Sequence, residues 1–170
     1  SLETFVETKD SLGFVRHSLL DFGASLGAAA EGPRPPERGY EFTVDGKWSM
    51  LRYVTLGFIQ EPWRKIPRDN MIPSLGSFES TVWNPDKFKS LQPHPAFRER
   101  TDADDYWGAK LVASFSDAQI AAAIDAAGYE DPRVKPALLA LLIARRDKLA
   151  RYYFDRTAPL DFFTFDGTTL

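Results

Sequence analysis

The chain has 170 residues, of which 44% are apolar, enough to bury the core of one compact domain. Its 21 basic and 24 acidic residues leave a net charge of -3, which excludes the broad basic field needed to hold nucleic acid or an anionic membrane. The absence of cysteine excludes disulfides and thiolate metal sites, and with two histidines no zinc site is expected.

The hydropathy pattern predicts a soluble protein without a membrane span. The longest apolar run, residues 136–144, is far shorter than the roughly 20 residues that cross a bilayer. The first residues of this sequence do not show a charged n-region followed by an apolar h-region. Composition leaves the compartment open, since exported proteins without cysteine are as compatible with it as cytoplasmic ones.

The first twenty residues predict a β-hairpin, with β-prone runs at residues 2–8 and 13–20 around a turn cluster. The chain enters this pattern directly at Ser1, without methionine. We therefore expect a C-terminal fragment of a longer protein, the alternative being a processed exported precursor. A hairpin separated from its neighbours should have an uncovered face that binds the missing N-terminal part or promotes self-association.

Residues 24–100 predict a loop-rich segment with one helix. Glycine and proline dominate residues 24–39, residues 40–44 alternate like a short strand, and residues 47–56 have apolar side chains at helical spacing. Prolines and aromatic residues alternate from residue 60 to 100, which predicts an ordered irregular wrap around a helical core. A proline-rich ligand for a partner domain is the alternative.

Three helices are predicted in residues 101–156. Thr101 or Asp102 caps the first helix. Ser116, with Gln119 three residues further on, begins the second helix in a capping box, and Gly128 ends it. Asp131 and Pro132 begin the third, a long amphipathic helix. The fold class is therefore α+β, a hairpin followed by a mostly helical body. We expect a single domain over 1–170, made of the segments 1–23, 24–100, 101–156 and a tail, 157–170.

Two groups of helical residues carry further predictions. Trp107 is expected to pack against the aromatic wrap. The charged residues of the last helix are interpreted as a solvated face with an Asp147–Arg151 ion pair, and phosphate or partner binding by the arginines is the alternative. This face comprises Arg145, Arg146, Asp147, Lys148 and Arg151.

The chemistry predicted for the chain centres on Asp21-Phe22-Gly23. A carboxylate at the end of an apolar strand, followed by a glycine, places an oxygen ligand where the chain leaves the core. In phosphoryl transfer such a residue holds the magnesium ion that bridges nucleotide phosphates. A turn or capping carboxylate is the competing interpretation of Asp21.

The succession of strand, turn, strand and Asp-Phe-Gly resembles the hairpin that follows the catalytic loop in protein kinases and their atypical relatives. The resemblance implies that Asp21, Phe22 and Gly23 bind Mg²⁺ and ATP, with Asp21 as the metal ligand. The catalytic Asp and Asn, the strand lysine, the helix αC glutamate and the glycine-rich loop would precede Ser1, and no Ala-Pro-Glu follows. The isolated chain is therefore expected to be inactive, and the rival function is a non-catalytic structural or interaction domain.

A second resemblance extends over more of the chain and is to the C-terminal half of a group of uncharacterised bacterial proteins. It rests on residues 14–17 before Asp21, on 105–110, and on 143–148 followed by 152–156. It implies a longer parent and defines no activity.

The remaining polar candidates are interpreted as structural. His17 alternates with the apolar residues of a strand and is expected to be a hydrogen-bonded structural histidine, the alternative being a catalytic base. His94 lies between two prolines, which indicates a loop. Ser25 is not in a Gly-x-Ser-x-Gly elbow, so a serine hydrolase is not supported.

Overall fold

A computed structural model describes residues 2–9, 12–19, 26–29, 32–34, 46–61, 64, 71–87 and 95–157. Helix exceeds strand in these residues, and the fold class is α+β, as predicted. Backbone contacts divide the chain into two compact units, Ser1–Val82 with Phe88–Arg98, and Trp83–Lys87 with Glu99–Leu170. Compactness does not establish independent folding, so the single domain stays a prediction.

The predicted β-hairpin is present in the first unit. Strands β1 (Leu2–Lys9) and β2 (Leu12–Leu19) pair antiparallel, and Lys9 opposite Leu12 leaves a two-residue connection. The turn is therefore shorter than the predicted cluster, because the strands extend into it. Val6 and Leu12 are exposed apolar side chains of this hairpin. Self-association through the hairpin stays a prediction.

Two glycines bring separate loops of the first unit into backbone contact. The two-residue strands β3 (Ala28–Ala29) and β4 (Gly32–Pro33) form a minimal ladder where the sequence predicts a loop without one. Gly27 and Gly76 have φ values of +83° and +51°, and a Cβ atom on either would collide with a backbone oxygen of the other loop. Ser77 Oγ donates to the carbonyl oxygen of Arg34 at 3.0 Å, adding a side-chain tie.

Helix α1 (Gly46–Val54) confirms the helix predicted between residues 47 and 56, but much of its apolar side is exposed. Two hydrogen bonds close its C-terminus, from the amides of Gly57 and Leu56 to the carbonyls of Arg52 and Tyr53. This is a Schellman arrangement, in which Leu56 takes the left-handed position with φ of +49°. The strand predicted at residues 40–44 lies outside the described residues.

The carboxylate of Glu61 is a buried charged group that interacts with Arg52 of α1 and with Arg64. Glu61 is buried at 9% relative exposure, and its Oε2 accepts a hydrogen bond from Arg64 Nε at 2.7 Å. Arg52 Nη1 lies 3.8 Å from Oε1 of the same carboxylate. The two guanidinium groups compensate the cost of removing this charge from water.

The wrap between residues 60 and 100 is less irregular than predicted where the structure describes it. A 3₁₀ turn spans Pro85–Lys87, and one helical turn, α2, spans Pro95–Arg98. In each, proline occupies the first helical position, where its missing N–H removes no intrahelical hydrogen bond.

The second unit is built on three helices whose capping residues confirm the sequence prediction. Helix α3 (Asp102–Ala113) begins after a Thr101–Asp104 capping box, and α4 (Asp117–Ala126) after a Ser116–Gln119 capping box. Helix α5 (Val134–Phe154) begins later than the predicted cap at Asp131, whose carboxylate instead accepts from the backbone amide of Arg133. Both shorter helices pack against α5.

The buried side chains among the described residues of this unit are apolar. They are Ala109 of α3, Ile124 of α4, and Val134 and Leu138 of α5, each at 5% relative exposure or less. Ala109 permits close approach of α3 to α5 because it presents only a methyl group. No helix in the described part of the chain is long and apolar enough to cross a membrane.

Candidate functional site

The predicted magnesium-binding element, Asp21-Phe22-Gly23, lies outside the described residues, as do Ser25 and His94. His17 lies in β2 with its backbone opposite Thr4, and its side chain is outside the described set. The described geometry therefore tests neither the metal ligand nor the rival turn carboxylate at Asp21.

The hairpin that precedes this element is described along its full length. The last pair of its ladder is Leu2 with Leu19, two residues before Asp21. The hydrogen-bonded strands thus restrain the backbone as far as Leu19. Within the residues that the structure describes, no group of three or more His, Cys, Asp or Glu side chains could hold a metal ion.

A second candidate site is an apolar groove in the second unit, with a cavity volume of about 280 Å³. All three long helices and the wrap contribute to its almost entirely apolar lining. The lining residues are Trp83, Val112, Phe115, Ile120, Leu142, Arg145, Arg146 and Leu149. The groove is smaller than most sites for drug-sized molecules and matches the size of one or two large side chains.

Trp83 forms one wall of the groove and is held by two basic residues of α5. The guanidinium of Arg145 stacks on its indole ring, 4.8 Å from the ring centroid. Lys148 Nζ donates to the Trp83 carbonyl oxygen at 3.2 Å. These two contacts connect the wrap to α5.

Arg146 also lines the groove. Its Nη1 donates to the carbonyl oxygen of Phe115 at 2.8 Å and to Asp117 Oδ1 at 2.6 Å, and its Nε donates to Asp147 Oδ1 at 2.8 Å. Hydrogen bonds to the Asp147 and Asp117 carboxylates raise the pKa of Arg146 above its ordinary value. One guanidinium therefore joins α5 to the α3–α4 connection.

These contacts correct two predictions about the last helix. The Arg146 side chain is only 16% exposed, so the charged residues do not form a uniformly solvated face. Asp147 pairs with Arg146, whereas the i, i+4 spacing predicts Arg151 as its partner. Spacing identified the residues that share a helix face. It did not show that Phe115 and Asp117 of the α3–α4 connection bind Arg146, or that the adjacent Asp147 carboxylate accepts a further hydrogen bond from the same guanidinium.

The burial predicted for Trp107 against the wrap is wrong, because this side chain is 64% exposed. Trp83 supplies the contact with the helices instead. Leu111, four residues further along α3, is also exposed, at 47%, and so is Phe115, at 56%, which follows the end of the helix in the α3–α4 connection. The i, i+4 spacing of Trp107 and Leu111 was readable in the sequence, but it could not tell which of two apolar sides of α3 faces the core.

A polar cluster at the end of α5 links that helix to the 3₁₀ turn. Tyr152 Oη donates to Asp86 Oδ1 at 2.6 Å, and the Arg156 guanidinium lies 3.5 Å from the Tyr152 ring centroid. The Asp86 hydrogen bond raises the pKa of the Tyr152 hydroxyl. These partners are 66 residues apart, and no sequence spacing indicated that they meet.

Comparisons with protein-family models, curated proteins and solved structures found no significant match. The kinase-like resemblance and the resemblance to bacterial proteins therefore stay hypotheses carried by the residues named for them.

Proposed function

We propose that this chain supplies the magnesium-binding end of a kinase-like nucleotide site, in which Asp21 coordinates Mg²⁺ on the phosphates of ATP. The observation that supports the proposal is the antiparallel hairpin whose last pair, Leu2 with Leu19, comes two residues before Asp21. A carboxylate is a hard oxygen ligand suited to Mg²⁺. When bound, the ion would neutralise charge on the transferred phosphoryl group.

In this proposal the hairpin positions the metal ligand and supplies no catalytic group itself. Its eight paired positions restrain both strands as far as Leu19, two residues before Asp21. The proposal gives Gly23 the role of letting the backbone turn close to a ligand and Phe22 that of an apolar side chain beside it. In this proposal the remaining catalytic groups lie outside these 170 residues, and the 170-residue chain alone is expected to be inactive.

The proposal is tested by MgATP binding to the full-length parent, measured by calorimetry with and without EDTA. Asp21→Asn keeps the side-chain shape but removes the charge, so at least a tenfold loss of magnesium-dependent affinity is expected. Asp155→Asn is the matched control, because Asp155 is an exposed carboxylate at the C-terminus of α5. Equal affinities for the wild type and Asp21→Asn would refute the assignment.

The alternative is a non-catalytic structural or interaction domain. It is favoured by the apolar groove, in which Trp83 of the wrap and Leu142 and Leu149 of the terminal helix form one surface. Exposed apolar concavities are common at protein interaction sites. A parent protein that binds no nucleotide in either Asp21 state, yet loses a partner on changes at the groove, would favour this alternative.

A further inference from the structure

We propose that Arg34 binds a phosphate group, with its guanidinium as the cation of an oxyanion site in the first unit. The site itself follows from the packing around Arg34 and does not depend on Asp21. The choice of phosphate as the anion is favoured by the nucleotide function proposed for Asp21, which Arg34 follows by 13 residues.

The backbone of Arg34 is held by two other loops of the first unit. Its amide donates to the carbonyl oxygen of Gly27 at 2.9 Å, and its carbonyl oxygen accepts from Ser77 Oγ at 3.0 Å. A Cβ atom on Gly76 would lie 3.2 Å from the Arg34 nitrogen, so a glycine at this position permits the approach. The Arg34 side chain therefore starts from a fixed point, directly after strand β4.

The guanidinium of Arg34 has a buried donor without an acceptor. Among the residues that the structure describes, its Nε is the one buried side-chain nitrogen or oxygen that has no hydrogen-bond partner. The residue as a whole is only partly buried, so a solute can reach it from outside. Buried polar groups are almost always hydrogen-bonded, and an exception of this kind indicates a missing ion or ligand.

The charge of Arg34 makes the missing acceptor more significant, because arginine keeps its proton throughout the physiological pH range. Elsewhere in the first unit, the buried carboxylate of Glu61 is compensated by Arg64 at 2.7 Å and by Arg52 at 3.8 Å. A buried charge without such compensation strongly destabilises a fold. The acceptor of Arg34 is therefore assigned to a bound solute.

A phosphate group fits the geometry of this donor. The Nε–H and one terminal N–H of a guanidinium form a parallel fork that binds two oxygens of one oxyanion. A phosphate monoester carries about 1.5 to 2 negative charges at pH 7 and has three acceptor oxygens, so one oxygen can stay in water while two fill the fork.

The contact between Arg34 and Gly27 keeps this arginine close along the chain to the proposed magnesium ligand. Gly27 lies six residues after Asp21, a path of at most about 22 Å when fully extended. The phosphate can belong to the nucleotide held at Asp21 or to a separate phosphate compound. The two sources predict different effects of Arg34 on the binding of MgATP.

Thermal unfolding of the 170-residue chain with inorganic phosphate tests the site. Phosphate should raise the unfolding midpoint of the wild type more than that of Arg34→Met, because a bound ligand adds to the general effect of phosphate on folded proteins. Calorimetry should show at least a tenfold loss of phosphate affinity in Arg34→Met. Arg98→Met is the matched control, since Arg98 is an exposed arginine of the first unit.

The relative stability of Arg34→Met should change sign with phosphate. In a phosphate-free chloride buffer the variant should be at least as stable as the wild type, because methionine removes an uncompensated buried donor. In saturating phosphate the wild type should be the more stable. A variant that is unfolded or less stable than the wild type without phosphate would show that Arg34 has a structural partner, and would overturn the proposal.

Asp21→Asn separates this site from the proposed magnesium site. In the 170-residue chain this substitution should leave the affinity for inorganic phosphate unchanged. In the full-length parent, weaker MgATP binding by Arg34→Met would assign the phosphate to the nucleotide. Unchanged MgATP binding, with inorganic phosphate still bound through Arg34, would assign it to a separate phosphate compound.

Acetate tests the class of the anion, because a carboxylate also fits the fork of a guanidinium. We expect acetate at the same ionic strength to bind at least tenfold more weakly than phosphate. Equal affinities for acetate and phosphate, or equal phosphate affinities for the wild type and Arg34→Met, would overturn the proposal.

Discussion

Arg146 shows at the residue scale how one side chain joins several elements. Its planar guanidinium donates in separate directions to Phe115, Asp117 and Asp147. Lysine has the same charge but presents it at a single point and cannot reproduce this fork. The role of the residue therefore depends on hydrogen-bond geometry more than on charge.

Arg146→Lys is expected to lower the midpoint of urea denaturation of the second unit, because at least one of the three acceptors loses its donor. Arg151→Lys is the control, since Arg151 is exposed on the same helix. Tryptophan fluorescence, together with helix content by circular dichroism, follows the transition. Equal midpoints for the two variants would contradict the role assigned to Arg146.

Leu56 carries the other residue-scale prediction, because it occupies a left-handed position that glycine adopts without steric cost. The side chain is 87% exposed, so its removal forfeits little burial. Leu56→Gly should stabilise the protein by about 1 kcal/mol, as the strain is relieved. Leu56→Ala retains the Cβ atom and should show no such gain in a chemical denaturation experiment.

At the scale of elements, the capping residues determine where α3 and α4 begin. The Thr101 amide donates to Asp104 Oδ2 at 2.8 Å, and the Ser116 amide donates to Gln119 Oε1 at the same distance. These reciprocal bonds use residues only three apart, which is why local sequence identified them. The tertiary partners of the same helices could not be inferred in this way.

The α3 cap also predicts a dependence on pH. Hydrogen bonds from the Thr101 backbone and hydroxyl lower the pKa of Asp104 in the folded state. The stabilisation is therefore fully present above the unfolded pKa of about 4 and is lost as the pH falls through the folded value. Asp104→Asn should flatten the decline in stability below pH 4, as measured by urea denaturation across this pH range.

At the scale of the whole molecule, distant segments are joined by a few side-chain contacts. Within the second unit, Tyr152 binds Asp86 across 66 residues of sequence, and Lys148 binds the Trp83 carbonyl across 65. The segment of residues 83–87, which contains the 3₁₀ turn Pro85–Lys87, is thus attached to α5 at two points.

Tyr152→Phe should remove the hydrogen bond to Asp86. We expect it to lower the free energy of unfolding by about 1 kcal/mol, the usual contribution of a hydrogen bond of this kind. The Asp86 contact raises the pKa of Tyr152, so its contribution is present below about pH 10 and disappears as the hydroxyl ionises. Hydrogen exchange at residues 83–87 should accelerate in the variant. Unchanged exchange would show that Lys148 and Arg145 suffice to hold the segment.

The sequence by itself determined the α+β class, the hairpin and the starts of α3 and α4, because strand alternation, turns and capping depend on residues a few positions apart. It also supplied the Asp21-Phe22-Gly23 hypothesis. Only the tertiary structure decided that Trp83 packs on α5 while Trp107 is exposed, and that Arg146 binds the α3–α4 connection. Helical periodicity shows which residues share a face, and the neighbour that covers the face comes from a distant part of the chain.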